Sequence, residues 1–296
     1  MRRRRQLVGF ALVAAVTAAC SISVVGTLDV APTPPDGGRE ASLPGEGEPV
    51  DGALGDGGAP GDASSDGGAL DAAFSCPSDA GPMVRTDAGF CVDVTEVSNA
   101  QYLPFYESTQ VAAPPAPPGC AWNVDFKPSV WRMNAPYFSE PDFPARAVDW
   151  CDAWAYCAWA GKRLCGDLAG GPASATDGAD ASANAWTYAC SSGGATVYPY
   201  GNNYNQNACN GDNEIGGATA VGSLAGCVGG GVYDMSGNMW EWEDSCVTVT
   251  GAGDSCRVRG GSHTRPEGQL TCATSFATPR SDATGNNGIR CCAYPP

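Results

Sequence analysis

The chain has 296 residues and carries 32 acidic against 16 basic side chains, a formal net charge of −16, with a single histidine. That acidity excludes a partner bound through a phosphate backbone, and one histidine cannot build a 2-His-1-carboxylate iron triad. Fifteen cysteines, with 40 glycines and 23 prolines, point to an exported chain ordered by loops and disulfides more than by long periodic elements.

The N-terminus reads MRRRR, an apolar run from Leu7 to Val16, and then Thr17-Ala18-Ala19-Cys20. A basic start, a short apolar core and small residues before a cut describe a secretory leader over residues 1–20, too short for the roughly 20 apolar residues of a bilayer span. The cysteine after two alanines also resembles a bacterial lipobox, with Thr17 in place of the usual Leu or Val. On that reading Cys20 becomes the lipidated first residue of the mature protein and its acyl chains hold the chain at a membrane. Ordinary cleavage that leaves Cys20 unmodified is the alternative. Ser21 stands where an Asp would resemble an inner-membrane retention signal, so the expected location is the periplasm or the outer membrane, as a lipoprotein. Residues 21–75 are Gly, Asp, Pro, Ala and Ser with almost no large apolar side chain, which reads as a disordered acidic tether. Much of the net charge lies in it.

The folded part is expected over residues 76–296, long enough for one sizeable core. Its fourteen cysteines allow up to seven bridges. The short-loop pairs Cys76/Cys91, Cys209/Cys227 and Cys246/Cys256 cost least to close. Ser98 and Gln101 form a capping box before Tyr102, Leu103, Phe105 and Tyr106, with Pro104 predicting a short or kinked helix. Asp149 caps a second helix in which Trp150, Ala153, Trp154, Cys157 and Ala158 recur at helical spacing as a core stripe, ended by Gly161. Further on, Cys165 and Cys190 bracket a loop rich in Ala, Asp and Gly, a place where a staple fits.

The densest stretch is Gly231 to Trp242, GVYDMSGNMWEW. Asp234, Asn238 and Glu241 offer hard oxygen ligands, and Gly237 permits a turn tight enough for carbonyls to converge, which is calcium chemistry. A turn between two core strands with solvated acids is the alternative. Trp240 and Trp242 share parity, so in an extended segment they lie on one face and Glu241 on the other.

This stretch resembles the GLYDMxGNVWEW signature of the formylglycine-generating enzyme, or sulfatase-modifying factor, family. RVRGGSH (Arg257 to His263) is similar to that family's RVxRGGSF, VDWCDAWAYCAWAGKRL (Val148 to Leu164) to its VSWxxAxxYCxWxGKRL, and TEVSNAQYLPF (Thr95 to Phe105) to its xEVTNxxYxxF. YPYG (Tyr198 to Gly201) and GIRCC (Gly288 to Cys292) stand where the family has YPWG and GFRC. The resemblance implies an α+β fold of low regular secondary structure, similar to C-type lectin-like domains, here disulfide-rich. It also implies two structural calcium sites. One would use the side chains of Asp234 and Glu241 with the carbonyls of Gly237 and Met239. The other would use Asn207, the carbonyl of Ala208 and an acid, for which Asp212 is taken over Glu214.

At the redox site the resemblance breaks. Catalytic members carry two cysteines five positions apart, whose thiolates hold Cu(I), and an Arg eight residues after the second. Here Cys272 precedes Arg280 by eight, but Glu267 stands where the first cysteine should be. Cys272, the one candidate catalytic residue, is expected in a disulfide to Cys291 or Cys292. His263 stands where the family has Phe; it is either a hydrogen-bonded histidine or a substitute copper ligand. The favoured reading is a lipid-anchored, non-catalytic, calcium-stabilised binding module for a protein, peptide or glycan ligand at the cell envelope. The alternative is a copper-dependent oxidase that converts a substrate cysteine to formylglycine.

Overall fold

Two capping boxes start the two longer helices. In the computed structural model, which describes residues 74–112, 114–129, 140–176 and 179–296, Ser98 caps α1 (Asn99–Thr109) and exchanges hydrogen bonds with Gln101. Asp149 does the same with Asp152 at α2 (Trp150–Trp159). The leader, Cys20 and the tether up to residue 73 lie outside the described residues. Pro104 does not end α1: it sits on the exposed side while Tyr102 and Phe105, both fully buried, anchor the same helix in the core. Gly161, at φ 68°, stops α2 as its left-handed preference predicts.

The expected stripe on α2 needs correction at two positions. Trp150, Ala153 and Cys157 are buried, together with Cys151, Asp152, Ala155 and Tyr156, but Trp154 is only half-buried and Ala158 is exposed. The buried face is centred on Tyr156, whose ring stacks 5.5 Å from Tyr102 of α1, so Trp154 lies at the edge of that face, packed against the core but half open to solvent.

The first and last strands of the described fold share one antiparallel sheet of order β1-β2-β10-β3, from β1 (Met83–Arg85), β2 (Cys91–Asp93), β3 (Arg163–Leu164) and β10 (Cys291–Ala293). A short helix α3 (Ala185–Cys190) and a small hairpin of β4 (Val228–Gly229) and β5 (Val232–Tyr233) follow β3. A second sheet runs β8-β7-β6-β9. It comprises β6 (Trp240–Cys246), β7 (Ser255–Arg259), β8 (Ser275–Pro279) and β9 (Asn287–Gly288), with β9 parallel to β6. Few and short elements are what the glycine and proline content predicts, and the α+β arrangement is the one the family resemblance implies.

Successive residues of a strand face opposite sides, and β10 uses this with sulfur. Cys291 bonds Cys157 of α2 in the core built on Tyr102, Phe105, Tyr156, Trp242 and Ile289. Cys292 bonds Cys165 in a second core built on Phe90, Val92, Trp186 and Met235. The short-loop pairs Cys76–Cys91, Cys209–Cys227 and Cys246–Cys256 form as expected, and Cys120–Cys151 adds a fourth local closure. Cys165 and Cys190 do not staple their loop to each other. Cys190 takes Cys272, because α3 packs against the segment that carries Cys272, whose N–H donates to the carbonyl of Val197.

Candidate functional site

The site grows from the alternation of β6. Trp240 and Trp242 are buried in the first core, with the Trp242 indole donating to the carbonyl of Val148. Glu241 and Glu243 therefore face the other way, and both are fully buried. A buried carboxylate must be paired, and each of these is. Glu243 accepts from Arg259 Nε at 3.0 Å and from Asn184. Glu241 accepts two bonds from Arg290, at 2.8 Å each, and one from the Trp186 indole at 2.6 Å. Arg290 also donates to the carbonyls of Asp93 and Tyr233. Such a two-pronged guanidinium–carboxylate pair is among the stronger polar contacts available to a protein interior.

The turn before β6 is built from residues that tolerate left-handed backbone. Asp234 has φ 62° and Asn238 φ 54°, a region that Asp and Asn enter more readily than other side chains. Gly237, at φ 84°, leaves no choice, because a Cβ there would lie 2.1 Å from the carbonyl oxygen of Asn210. This geometry aims Asp234 inward, where Oδ2 accepts from the Gly222 N–H at 2.5 Å. Asn238 donates to Glu96 Oε2 at 2.6 Å, and the Met239 N–H donates to Glu96 Oε1 at 2.9 Å. Glu96 is 0% exposed.

Three carboxylates, Glu96, Asp234 and Glu241, thus share one buried neighbourhood with a single guanidinium. Burial, then the charges of Asp234 and Glu241, push the Glu96 carboxyl well above the usual carboxylate range. Asp234 is pushed up to about 6 by burial, with Gly222 and Arg290 acting against the rise and Glu241 adding to it. With all three ionised, Arg290 offsets one charge and two remain in low dielectric, a state that repels itself. Hard oxygen donors with two excess negative charges fit a divalent calcium-like ion. The fit differs from the expected set. Glu241 is committed to Arg290 and Trp186, not waiting for an ion, and the carboxylates without a cationic partner are Asp234 and Glu96. Among the described residues no three His, Cys, Asp or Glu side chains converge as a closed ligand set, so carbonyls such as those of Gly237 and Met239 would have to complete it.

Sequence reasoning missed Glu96 and gave Arg290 no role, although both lie in stretches it quoted, EVSN and GIRCC. The available signal was charge: Glu96 lies between Val94 and Val97, and Arg290 between Ile289 and Cys291, each a charged side chain beside apolar neighbours. At the other expected calcium site, Ala208 is buried next to Cys209, while Asn207 and Asp212 are exposed. The N–H of Asp212 goes to the carbonyl of Arg265.

The sulfur end is closed. Cys272 is 2% exposed and bonded to Cys190, which corrects the expected partner, Cys291 or Cys292. Those two are taken by Cys157 and Cys165 on opposite faces of β10. Glu267 opens an exposed 3-10 turn, Glu267–Gln269. His263 is buried, with its Nδ1 3.1 Å from the Asn238 carbonyl, so it is the hydrogen-bonded histidine. All fourteen cysteines from Cys76 to Cys292 stand in seven disulfides. A Cu(I) ion held by two thiolates has no donor set among them.

Comparison with known proteins agrees with this architecture. The sulfatase-modifying factor enzyme 1-like domain model matches residues 66–294. The formylglycine-generating enzyme of Bos taurus is 27% identical over 272 residues, covering 71% of this chain and 67% of that protein. An inactive C-alpha-formylglycine-generating enzyme 2 of Mus musculus is 28% identical over 196 residues, covering 59% of this chain and 58% of its own length. Among solved structures, PvdO from Pseudomonas aeruginosa superposes with a TM-score of 0.49 at 21% identity, over 70% of this chain and 80% of that one. The chain therefore spans about two thirds of the first of these two curated relatives and somewhat over half of the second. With a family model over residues 66–294 and an α+β, disulfide-rich fold of short elements, the chain belongs to the sulfatase-modifying factor enzyme 1-like domain family.

Proposed function

We propose that this domain is a non-catalytic binding module carried at the cell envelope, with calcium as a structural ion at Asp234 and Glu96. The observation that carries the non-catalytic part is the pairing of Cys272 with Cys190, together with Glu267 at the position of the missing cysteine. Thiolate chemistry needs a sulfur that is free to ionise, and the pairing of all fourteen described cysteines leaves none among them. Relatives that match this chain include both formylglycine-generating enzymes and proteins named inactive, so the scaffold does not by itself dictate the reaction. The ion, where bound, supplies positive charge to Glu96 and Asp234; Glu241 and Arg290 orient the β6 end of the site without it.

The test is a free-thiol count on the exported full chain, denatured without reductant, beside an assay for conversion of a cysteine-containing sulfatase peptide to formylglycine with copper and O₂. No free thiol from Cys76 to Cys292 and no product are expected. Two free thiols including Cys272, or copper-dependent product, would overturn the reading in favour of the oxidase.

A further inference from the structure

The edge position of Trp154 on α2 leaves its indole in the lining of two cavities. A cavity of about 400 Å³ lies against this half-buried indole, lined also by Lys162, Arg163, Gly171, Pro172 and Asp244; the Lys162 ammonium is buried and turned away, on Asp93 Oδ1 at 2.6 Å and the Ala80 carbonyl. A second, of about 450 Å³, lies against Phe105, Pro114, Pro115 and Trp159. The two share Trp154 and Ala158 as a common wall. The first includes the charged residues Arg163 and Asp244 in its lining and the second is almost wholly apolar, with Trp159 44% exposed.

Asp244 is the unusual group. It alternates with Glu243 on β6, but where Glu243 has Arg259 and Asn184, the Asp244 carboxylate has no hydrogen bond or ion pair with the described residues. Only its backbone is engaged, with Cys165 and Ala173. Burial, then the neighbouring Glu243 charge, push its carboxyl up to about 6; Asp167 adds to the rise, and Arg280 and Arg163 act against it. Neither arginine closes on it. Arg163 donates to the carbonyl of Gly170, and Arg280 pairs with Asp254 over the Trp150 ring. Near neutral pH the lining that holds the Trp154 indole therefore also holds a partly desolvated carboxylate with no hydrogen bond to the described residues.

We propose that these two cavities form one docking groove for a lysine-bearing peptide segment, the lysine ammonium at Asp244 against Trp154 and a neighbouring apolar side chain in the compartment of Phe105 and Trp159. An ammonium on an apolar stem satisfies both features at once, by ion pairing with the carboxylate and by attraction to the indole face. A neutral sugar fits less well. The Gly170 and Gly171 amides are already donated to Asp167 and one Arg163 N–H to the Gly170 carbonyl, and a neutral sugar would leave the Asp244 charge without a counter-ion. The groove gives the binding-module reading a ligand class, and the two fail separately, because the thiol and formylglycine results say nothing about lysine capture.

The experiment is an NMR titration of the full chain with the pentapeptide Gly-Leu-Lys-Leu-Gly. Saturable upfield shifts of the lysine ε-methylene are expected, from the ring current of an indole. Affinity should fall about tenfold or more when norleucine replaces lysine, or when Asp244→Asn is used in place of the wild type, as loss of an ion pair and a cation–π contact requires. It should also fall between about pH 7.5 and about pH 5 in the wild type alone, because a protonated Asp244 no longer attracts the ammonium. The norleucine comparison uses the unaltered protein, so it decides even where Asp244→Asn fails to fold. Equal affinity for the two peptides, equal affinity of Asp244→Asn, no saturable shift, or saturable binding of maltotriose in place of the peptide would each overturn the proposal.

Discussion

The carboxylate centre and the sulfur end lie at opposite ends of one short run, from β6 through β7 to Cys272, and they have fared differently. At the centre, each family-type residue is wired to another by a buried charged contact: Glu241 to Arg290, Asn238 to Glu96, Arg259 to Glu243. At the sulfur end, Glu267 lies exposed in a 3-10 turn and Cys272 has become a staple to α3. The difference is one of physical consequence. Removing a member of the centre strands a charge in the interior, whereas replacing a surface thiol costs the fold nothing and a disulfide in its place adds to stability. The scaffold can therefore outlive the chemistry.

Arg290→Gln should break this contrast most sharply. Stranding a buried carboxylate costs about 3–5 kcal/mol, and the carbonyls of Asp93 and Tyr233 lose their donors as well. Chemical denaturation of the full chain with disulfides intact should show a loss of that order. A loss under about 1 kcal/mol would mean that Glu241 finds another partner and that the centre is not what holds this region.

The matching change at the sulfur end, Cys190→Ala with Cys272→Ala, should cost about 2–4 kcal/mol, the typical range for a disulfide, and chiefly through the unfolded chain, where the bridge links positions 82 residues apart. Lysine-peptide binding at Trp154 should survive it. A variant that denatures at the same midpoint as the wild type would show that the bridge does not form.

Calcium is the finest discriminator. Comparing melting temperature with calcium and with a chelator, the wild type should gain about 2.7 kcal/mol at a hundredfold excess over Kd, with Kd on the order of 10⁻⁴ M or tighter. Glu96→Gln should lose most of that gain. Glu241→Gln should instead lower stability in both buffers, because it breaks the Arg290 pair first. A wild type that chelation leaves unmoved would remove the ion from the site.

Much of this molecule was determined locally, and those parts are legible in the sequence. Ser98 with Gln101 and Asp149 with its following residues specify helix starts, because a cap needs only a side chain and the N–H groups two or three residues on. The parity of Trp240 and Trp242 separates apolar from charged faces on β6, since strand alternation is a property of the backbone alone. The bridges of separation 15, 18 and 10 follow from short-loop closure. What the tertiary structure decided is who meets whom over long separations. Cys157 with Cys291 spans 134 residues, Cys165 with Cys292 spans 127, and Glu96 reaches Met239 across 143. Those meetings depend on β10 inserting between β2 and β3 and on β9 pairing in parallel with β6, which no local period encodes. The same holds for α2. Its spacing allowed Trp154 in the core, and only the packing of Tyr156 against Tyr102 left the indole at the edge of the buried face, half open to solvent. Burial energy depends on the whole packed face, so a side chain at the edge of a helical stripe is assigned by its neighbours and not by its own position in the sequence.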